Sequence, residues 1–330
     1  MEQRRNSRFA IVGVGGYIAP RHLGAVRSVG GSVVSACDVS DSVGIIDSYF
    51  PDAEFTTDSD AFFGSLGRDV ADYLTVCTPN YLHCRHSLRG LEAGMDVICE
   101  KPVVLTVAEH RRLTEMQRVS GRRVYPVLQM RLHPEAVRIR EKVESDRVGV
   151  CHDVELVYVA PRGRWYGASW KGDPRKSGGV LTNIGIHFVD LLHWMFGRRT
   201  GLRLHRSDAG CISGVLELER ARVCFFLSVD PGHVPAGHTG ACRRLSVDGD
   251  LFDFSTGFAD LHDRSYHEIM AGRGFSLEDT LEAVATVEAA RTTGLSPLTG
   301  LYHPMLKNFC CESGSKSPAG RGLPDKHSAL

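Results

Sequence analysis

A glycine-rich turn between an apolar strand and a helix constrains the fold of this chain more than any other feature. The run from Phe9 to Gly13 is short, apolar and ends in glycine, which is typical of a buried parallel strand. Gly13, Gly15 and Gly16 then form a turn before a helix predicted over 21–29. Such a turn lets a pyrophosphate approach the backbone and the helix N-terminus. Ile18 replaces the usual third glycine, so the turn alone also fits an ordinary glycine turn.

Strands and helices alternate after this turn. The hydrophobic pattern predicts strands over 32–37, 72–77, 96–99 and 123–129, with helices over 82–93 and 107–120. Strands that alternate with helices form βαβ units, so we expect an α/β fold whose first domain, residues 1–123, is a Rossmann-type, doubly wound parallel sheet.

The pattern changes in the second half of the chain. Strands are predicted over 154–159, 214–219, 223–229 and 245–248, and helices only over 185–195 and 277–291. Few helices between strands favour a largely antiparallel sheet, so residues 124–294 are predicted to form an open-faced α/β domain. Ser, Gly, Pro and Lys become frequent from Ser313, and we expect the tail 295–330 to be partly disordered.

An acidic residue strengthens the dinucleotide interpretation. Asp38 ends the second predicted strand, twenty residues beyond Ile18, where a carboxylate can bind the 2′-hydroxyl of a ribose. The same charge repels the 2′-phosphate of NADP, so the sequence favours NAD. The alternative is that Asp38 only caps a turn.

Composition excludes several classes of function. The 39 basic residues balance 39 acidic ones, which argues against a general nucleic-acid binder. The first eight residues are charged and resemble no signal peptide, and the apolar runs are too short to cross a membrane. We therefore expect a cytoplasmic protein whose ten cysteines are reduced.

Two further motifs carry the chemistry. Thr78, Pro79, Asn80 and His83 follow one predicted strand, and Glu100 and Lys101 precede Pro102 after the next. The second motif runs from Gly178 through Asn183 to His187. Together with the glycine turn they resemble the Gfo/Idh/MocA oxidoreductase family over residues 8–292. The resemblance implies that NAD contacts the following residues: Gly13, Gly15, Gly16, Tyr17, Ile18, Asp38, Thr78, Pro79, Asn80, His83, Glu100 and Lys101.

The same resemblance implies catalytic roles for Lys101, His187 and Asn183. Oxidation of a secondary alcohol needs a base for the hydroxyl proton, and an ammonium stabilises the developing alkoxide. We expect His187 to be the base and Lys101 its electrostatic partner, or the two roles to be exchanged. Many family members have aspartate where this chain has Asn183, which cannot relay a proton and is expected to orient the substrate or the imidazole. Without the other motifs, His187 would be interpreted as a core histidine.

The loop 162–177 narrows the substrate, because it places two tryptophans among five basic residues. Cations bind carboxylates or phosphates, and aromatic rings stack on sugars or bases; the alternative is a solvated loop. This loop, together with motifs at 15–22, 42–47, 182–187 and 261–275, resembles the UDP-N-acetyl-glucosaminuronate 3-dehydrogenases of bacterial surface-polysaccharide (lipopolysaccharide) synthesis. That subgroup implies a homotetramer, an aminotransferase acting next, and NADH that is either recycled by 2-oxoglutarate or exchanged. The predicted substrate-binding residues are Arg131, Arg164, Trp165, Tyr166, Trp170, Lys171, Asn183, His187 and Tyr266.

Two other functions fit the same fold. A dehydrogenase of inositol or another simple sugar would need few cations. A non-catalytic sensor of NAD or sugar could lose its acid–base pair, whereas this chain has both Lys101 and His187. No metal site is predicted, since His83, Cys84 and His86 are interpreted as packing and substrate-side residues of a helix.

Overall fold

A computed structural model describes residues 6–147, 149–238, 240–254 and 257–310 of the chain. They form two six-stranded sheets. The first is parallel throughout, in the order β3-β2-β1-β4-β5-β6. Its strands are β1 Arg8–Val12, β2 Ser32–Cys37, β3 Glu54–Thr56, β4 Tyr73–Val76, β5 Asp96–Cys99 and β6 Val124–Pro126. The predicted doubly wound sheet is confirmed.

Both faces of this sheet are buried, because successive side chains of a strand point to opposite faces. In β1, Phe9 and Ile11 belong to one apolar cluster, and Ala10 and Val12 to another. The helices of this half are α1 Ala19–Ser28, α2 Ser59–Ser65, α3 His83–Glu92 and α4 Val107–Ser120.

The second sheet has the order β12-β11-β7-β10-β9-β8 and is mixed. Only the pair β7–β10 is parallel, so the prediction of a largely antiparallel sheet is confirmed. Its strands are β7 His152–Val159, β8 Arg199–Ser207, β9 Cys211–Leu218, β10 Ala221–Ser228, β11 Cys242–Val247 and β12 Asp250–Asp253. Helices pack on its inner face, and its outer face carries a smaller apolar cluster.

The helices of the second half begin with α5 Pro134–Ser145. Three short helices follow, which are α6 Trp165–Ala168, α7 Pro174–Ser177 and α8 Gly179–Asn183. The longer helix α9 spans Ile186–Phe196. The chain continues through α10 Leu261–Met270, α11 Leu281–Ala290 and α12 Met305–Cys310. Although α10 lies late in the sequence, its Tyr266 and Ile269 pack in the core of the first sheet.

The segment 295–310, which we call the strap, packs on the second sheet. Leu295 pairs with Leu204 of β8, and Leu306, 3% exposed, joins Val157 and Phe226 on the outer face. Part of the tail is therefore packed, and the expectation of partial disorder over 295–330 stays a prediction, because residues 311–330 lie outside the described residues.

Two findings bear on the setting of the protein. Within the described ranges, no helix is long and apolar enough to cross a membrane. The eight cysteines between Cys37 and Cys242 are free thiols, and seven of these eight are buried.

Candidate functional site

The predicted cofactor residues meet at one edge of the first sheet. Gly13 follows β1, Asp38 follows β2, Thr78 follows β4 and Lys101 follows β5, and the carboxyl ends of parallel strands form the ligand-binding edge of such sheets. Gly13 has a φ of +88°, and a Cβ there would lie 2.6 Å from the backbone nitrogen of Thr78. The turn therefore requires glycine at this position.

Asp38 lies against the glycine turn. Its carboxylate accepts hydrogen bonds from the backbone N–H groups of Gly15, at 2.9 Å, and of Ser40, at 3.1 Å. Val39, the next residue, is 92% exposed, and Tyr17 in the glycine turn is 96% exposed. A carboxylate for ribose and exposed side chains for adenine fit NAD. Val39 was not predicted, although its position directly after Asp38 could have indicated it from the sequence.

His83 connects two loops of this edge. It is 1% exposed, and its ring nitrogens lie 2.7 Å from the carbonyl oxygen of Pro102 and 2.6 Å from that of Thr78. Burial lowers its pKa against the opposing effect of the two carbonyls. The prediction of a cofactor contact is corrected here, because both nitrogens of the buried ring have partners within the protein.

Lys101 and His187 interact electrostatically. His187 is the second residue of α9 and is partly exposed. Burial first, and then the Lys101 ammonium, hold its pKa well below 6.5, although Glu100 opposes them. Among the described residues neither ring nitrogen of His187 has a hydrogen-bond partner. The imidazole is therefore neutral at physiological pH and is available to accept a proton.

Asn183 connects the two domains. Its Nδ2 donates to the hydroxyl of buried Tyr166 at 2.7 Å, and its Oδ1 accepts a longer contact of 3.4 Å from Asn80. Asn80 also donates to the carbonyl of Ser177 at 2.9 Å. Because the Tyr166 hydroxyl accepts from Asn183, its own proton is directed elsewhere. Asn183 thus orients a hydroxyl donor, in keeping with an orienting role.

The loop 162–177 brings cations together beside Lys101. Lys171 is partly buried and stacks on Trp170 and Trp165, with Nζ 4.7 and 5.4 Å from the ring centroids. Burial, Arg162 and Lys101 lower the pKa of Lys171. We call Lys101, Arg162 and Lys171 the cationic trio. In the described part of the chain no carboxylate pairs with any of the three, and such a group favours an anionic ligand.

Other members of this loop differ in exposure. Arg164 is exposed, and Trp165 is 54% exposed. Arg175, a further loop cation, is bound to Asp173 at 3.1 Å on the surface. Arg162 was not predicted as a site residue, although its position two residues before Arg164 in the same basic loop was visible in the sequence.

Arg131 and Tyr266 have other partners than a substrate. The guanidinium of Arg131 is 3% exposed and binds Asp190 at 2.7 and 2.9 Å and Asp279 at 3.0 Å. Tyr266 is fully buried, and its hydroxyl lies 2.8 Å from Nδ1 of His22 and 3.1 Å from the hydroxyl of Thr75. Both substrate-binding predictions are corrected, because internal partners occupy these polar groups.

Comparison with known families agrees with this arrangement. The Gfo/Idh/MocA pattern described as "Oxidoreductase family, NAD-binding Rossmann fold" matches residues 7–127. The pattern described as "Oxidoreductase family, C-terminal alpha/beta domain" matches residues 140–207.

Solved structures extend the similarity to most of the chain. The WlbA (WbpB) dehydrogenase from Thermus thermophilus, in complex with NAD and alpha-ketoglutarate, is 44% identical with a TM-score of 0.88. The match covers 90% of this chain and 99% of that one. The same enzyme in complex with NAD and UDP-GlcNAcA matches over the same shares, at 44% identity and a TM-score of 0.86.

Curated relatives match over shorter segments. An uncharacterized oxidoreductase of Rhizobium meliloti, ORF334, is 28% identical over 49% of this chain. D-glucoside 3-dehydrogenase of Escherichia coli K12 is 30% identical over 38% of this chain. The chain spans 49% of the first relative and 36% of the second.

Proposed function

This chain belongs to the Gfo/Idh/MocA oxidoreductase family, and on that premise we propose that it oxidises the 3-hydroxyl of UDP-N-acetyl-glucosaminuronate to the 3-keto sugar. Bound NAD supplies the hydride acceptor. The cationic trio supports the proposal most strongly, because Arg162 and Lys171 lie near Lys101, none of the three has a carboxylate partner among the described residues, and Lys101 acts on His187. A uronate supplies the missing anion, and the Thermus dehydrogenase at 44% identity was solved with this sugar nucleotide.

The residues of this chain divide the chemical work. Neutral His187 accepts the proton of the 3-hydroxyl, and the Lys101 ammonium stabilises the alkoxide as it forms. Asn183 and Tyr166 orient the sugar ring. Arg162 and Lys171 bind the carboxylate, while Trp165, Trp170 and exposed Arg164 contact the rest of the nucleotide sugar.

The proposal extends to the second substrate, the pathway, the compartment and the oligomeric state of the enzyme. We assign 2-oxoglutarate as the second substrate that reoxidises the enzyme, as one Thermus structure contains it. An aminotransferase then consumes the 3-keto sugar in lipopolysaccharide synthesis. The protein works in the cytoplasm, as a homotetramer packed through the outer faces of its second sheets.

Deuterium at C3 of the sugar tests the assigned position of oxidation. The protein is mixed with UDP-N-acetyl-[3-²H]glucosaminuronate and 2-oxoglutarate, and both products are analysed by mass spectrometry. We expect the sugar to lose the deuterium and 2-hydroxyglutarate to carry it. Oxidised sugar that retains the deuterium would contradict the assignment to C3, and absence of oxidation would contradict the substrate.

A further inference from the structure

Four side chains form a buried polar cluster directly behind Lys101. Glu100, which directly follows β5, is 4% exposed, and His22 of α1 is completely buried. His262 and Tyr266, both of α10, are 8% and 0% exposed. We call these residues the Glu100 cluster. It joins the helix of the glycine turn, the loop of Lys101 and a helix from the far end of the sequence.

The hydrogen bonds of the cluster run in one direction. Oε1 of Glu100 lies 3.0 Å from Nε2 of His22 and 3.1 Å from Nε2 of His262. The carboxylate is ionised, because the two histidines lower its pKa well below 4.5 against the effect of burial. Both imidazoles therefore donate from Nε2. His22 then accepts at Nδ1 from the Tyr266 hydroxyl, which itself accepts from Thr75.

The second carboxylate oxygen connects the cluster to the catalytic loop. Oε2 of Glu100 accepts the backbone N–H of Lys101 at 3.1 Å. The charge of Glu100 also acts on His187 and raises its pKa, whereas burial and Lys101 lower it. The cluster is therefore linked to both proposed catalytic residues, to one by a hydrogen bond and to the other by its charge.

We propose that Glu100 is a positioning residue, held as an anion by His22 and His262, which fixes the loop of Lys101 and sets the electrostatic field at His187. His22 acts through Glu100, and His262 binds the same carboxylate oxygen. Through His22 the cluster also fixes helix α1, so the glycine turn and the catalytic loop keep one relative position.

A divalent metal is the alternative ligand for His22, Glu100 and His262, since their ligand atoms lie within 4.8 Å of one another. The distances favour hydrogen bonds. Two ligands at about 2.0–2.1 Å from a tetrahedral zinc ion are about 3.3–3.5 Å apart, whereas the nitrogen–oxygen distances here are 3.0 and 3.1 Å. Each donor of the hydrogen-bond series from Thr75 through Tyr266 and His22 to Glu100 also has an acceptor without a metal.

Nitrogen NMR of the protein labelled with ¹⁵N-histidine tests the hydrogen-bond assignment without any substrate. Signals are assigned by comparison with His22→Gln and His262→Gln. We expect Nε2 of both residues to carry a proton at pH 7, and Nδ1 of His22 to stay unprotonated below pH 6.5, because burial lowers the pKa of His22. Loss of the proton from Nε2 of either ring, or a proton on Nδ1 of His22, would overturn the assignment. So would stoichiometric zinc in the purified protein that is lost in these variants.

Kinetics of Glu100→Gln test the effect on the site, and this arm alone rests on the proposed substrate. The charged or titratable groups that act on His187 are Lys101, Glu100, His262 and Arg243. Removing the Glu100 charge lowers the pKa of His187, so the acidic limb of the single-turnover profile should move to lower pH by at least about half a unit. We also expect the rate to fall at least about tenfold, with bound NAD retained.

Two comparisons make this result decisive. Glu109→Gln is the matched control, because Glu109 also binds backbone N–H groups of a neighbouring loop but does not act on His187. His262→Ala should slow the reaction, and His262→Gln, which keeps an N–H donor, should restore most of the rate even if Glu100→Gln fails to fold. Wild-type rate and pH profile in Glu100→Gln, or equal rates in the two His262 variants, would overturn the proposal. Wild-type protein that does not react with the uronate would contradict the proposed function, and the NMR result would still stand.

Discussion

Lys101 and His187 carry the proposed chemistry because one is a cation and the other is a neutral base beside it. Replacing either should slow hydride transfer at least about a hundredfold, since general base catalysis typically contributes that much. Lys101→Met and His187→Asn are compared with wild type by single-turnover absorbance of NADH. Lys176→Met, which removes an exposed lysine of the loop 162–177, should react like wild type. A near-normal rate in either site variant would remove that residue from the mechanism.

We expect Asp38 to determine which dinucleotide the glycine turn accepts. Its carboxylate lies within hydrogen-bond distance of Gly15, and a charged hydrogen bond to a ribose hydroxyl contributes about 1.5–3 kcal/mol. Asp38→Ala should weaken NAD binding by that amount and reduce the preference over NADP, as measured by calorimetric titration of both cofactors. Asp41→Ala, three residues away, provides a control that should change neither affinity. Equal affinity of the wild-type protein for NAD and NADP would contradict the role of Asp38.

Arg131 shows how a buried ion pair holds separate elements together. It follows β6, and its partners Asp190 and Asp279 lie in α9 and in the turn before α11. Arg131→Met leaves Asp190 buried without a counter-charge, which should lower the free energy of unfolding by about 3–5 kcal/mol. Urea denaturation measures the change, and Arg118→Met, at an exposed ion pair, should leave stability unchanged. An unchanged free energy of unfolding in Arg131→Met would show that the ion pair contributes little to stability.

The sequence predicted those elements whose pattern reflects burial. β1, β4 and β5 are buried on both faces and form plain apolar runs, so their positions were predicted within a residue or two. β8 was not predicted, because an edge strand with arginines facing solvent lacks such a run. β3 has only three residues, too few to show any period.

The site was predictable where residues follow strand ends and unpredictable where distant segments meet. Gly13, Asp38 and Lys101 occupy places that the local pattern defines. Tyr266 lies in a helix that returns to the first sheet, and no local pattern indicates that its hydroxyl would contact His22 rather than a sugar. The Glu100 cluster was missed for the same reason, because its members are 78 and 162 residues apart in sequence.

The strap covers part of the outer face of the second sheet. Removal of residues 295–330 takes away the burial of Leu306, about 1.5–3 kcal/mol, and uncovers Val157, Val159 and Phe226. We expect a lower melting temperature and stronger self-association of the 1–294 chain in sedimentation velocity. Removal of residues 313–330 alone should change neither property. Dissociation of the 1–294 chain would instead place the strap within the subunit interface.

We expect the whole molecule to select a UDP-uronate as its substrate, because its cleft presents cations to the carboxylate of the sugar. Cations that are partly removed from water are costly unless an anion pairs with them. Loss of the carboxylate should therefore cost about 2–3 kcal/mol, or about thirty- to a hundredfold in kcat/KM. Lys171→Met should reduce this discrimination, because Lys171 belongs to the cationic trio.

Absorbance of NADH after mixing with three sugars tests this claim most directly. Wild-type protein and Lys171→Met are each mixed with UDP-N-acetyl-glucosaminuronate, with UDP-N-acetylglucosamine and with free inositol. We expect rapid reduction of NAD by the uronate, a rate about thirty- to a hundredfold lower with UDP-N-acetylglucosamine, and a smaller difference in Lys171→Met. Equal rates with the two sugar nucleotides would contradict the role of the carboxylate, and reduction by inositol alone would contradict the proposed substrate.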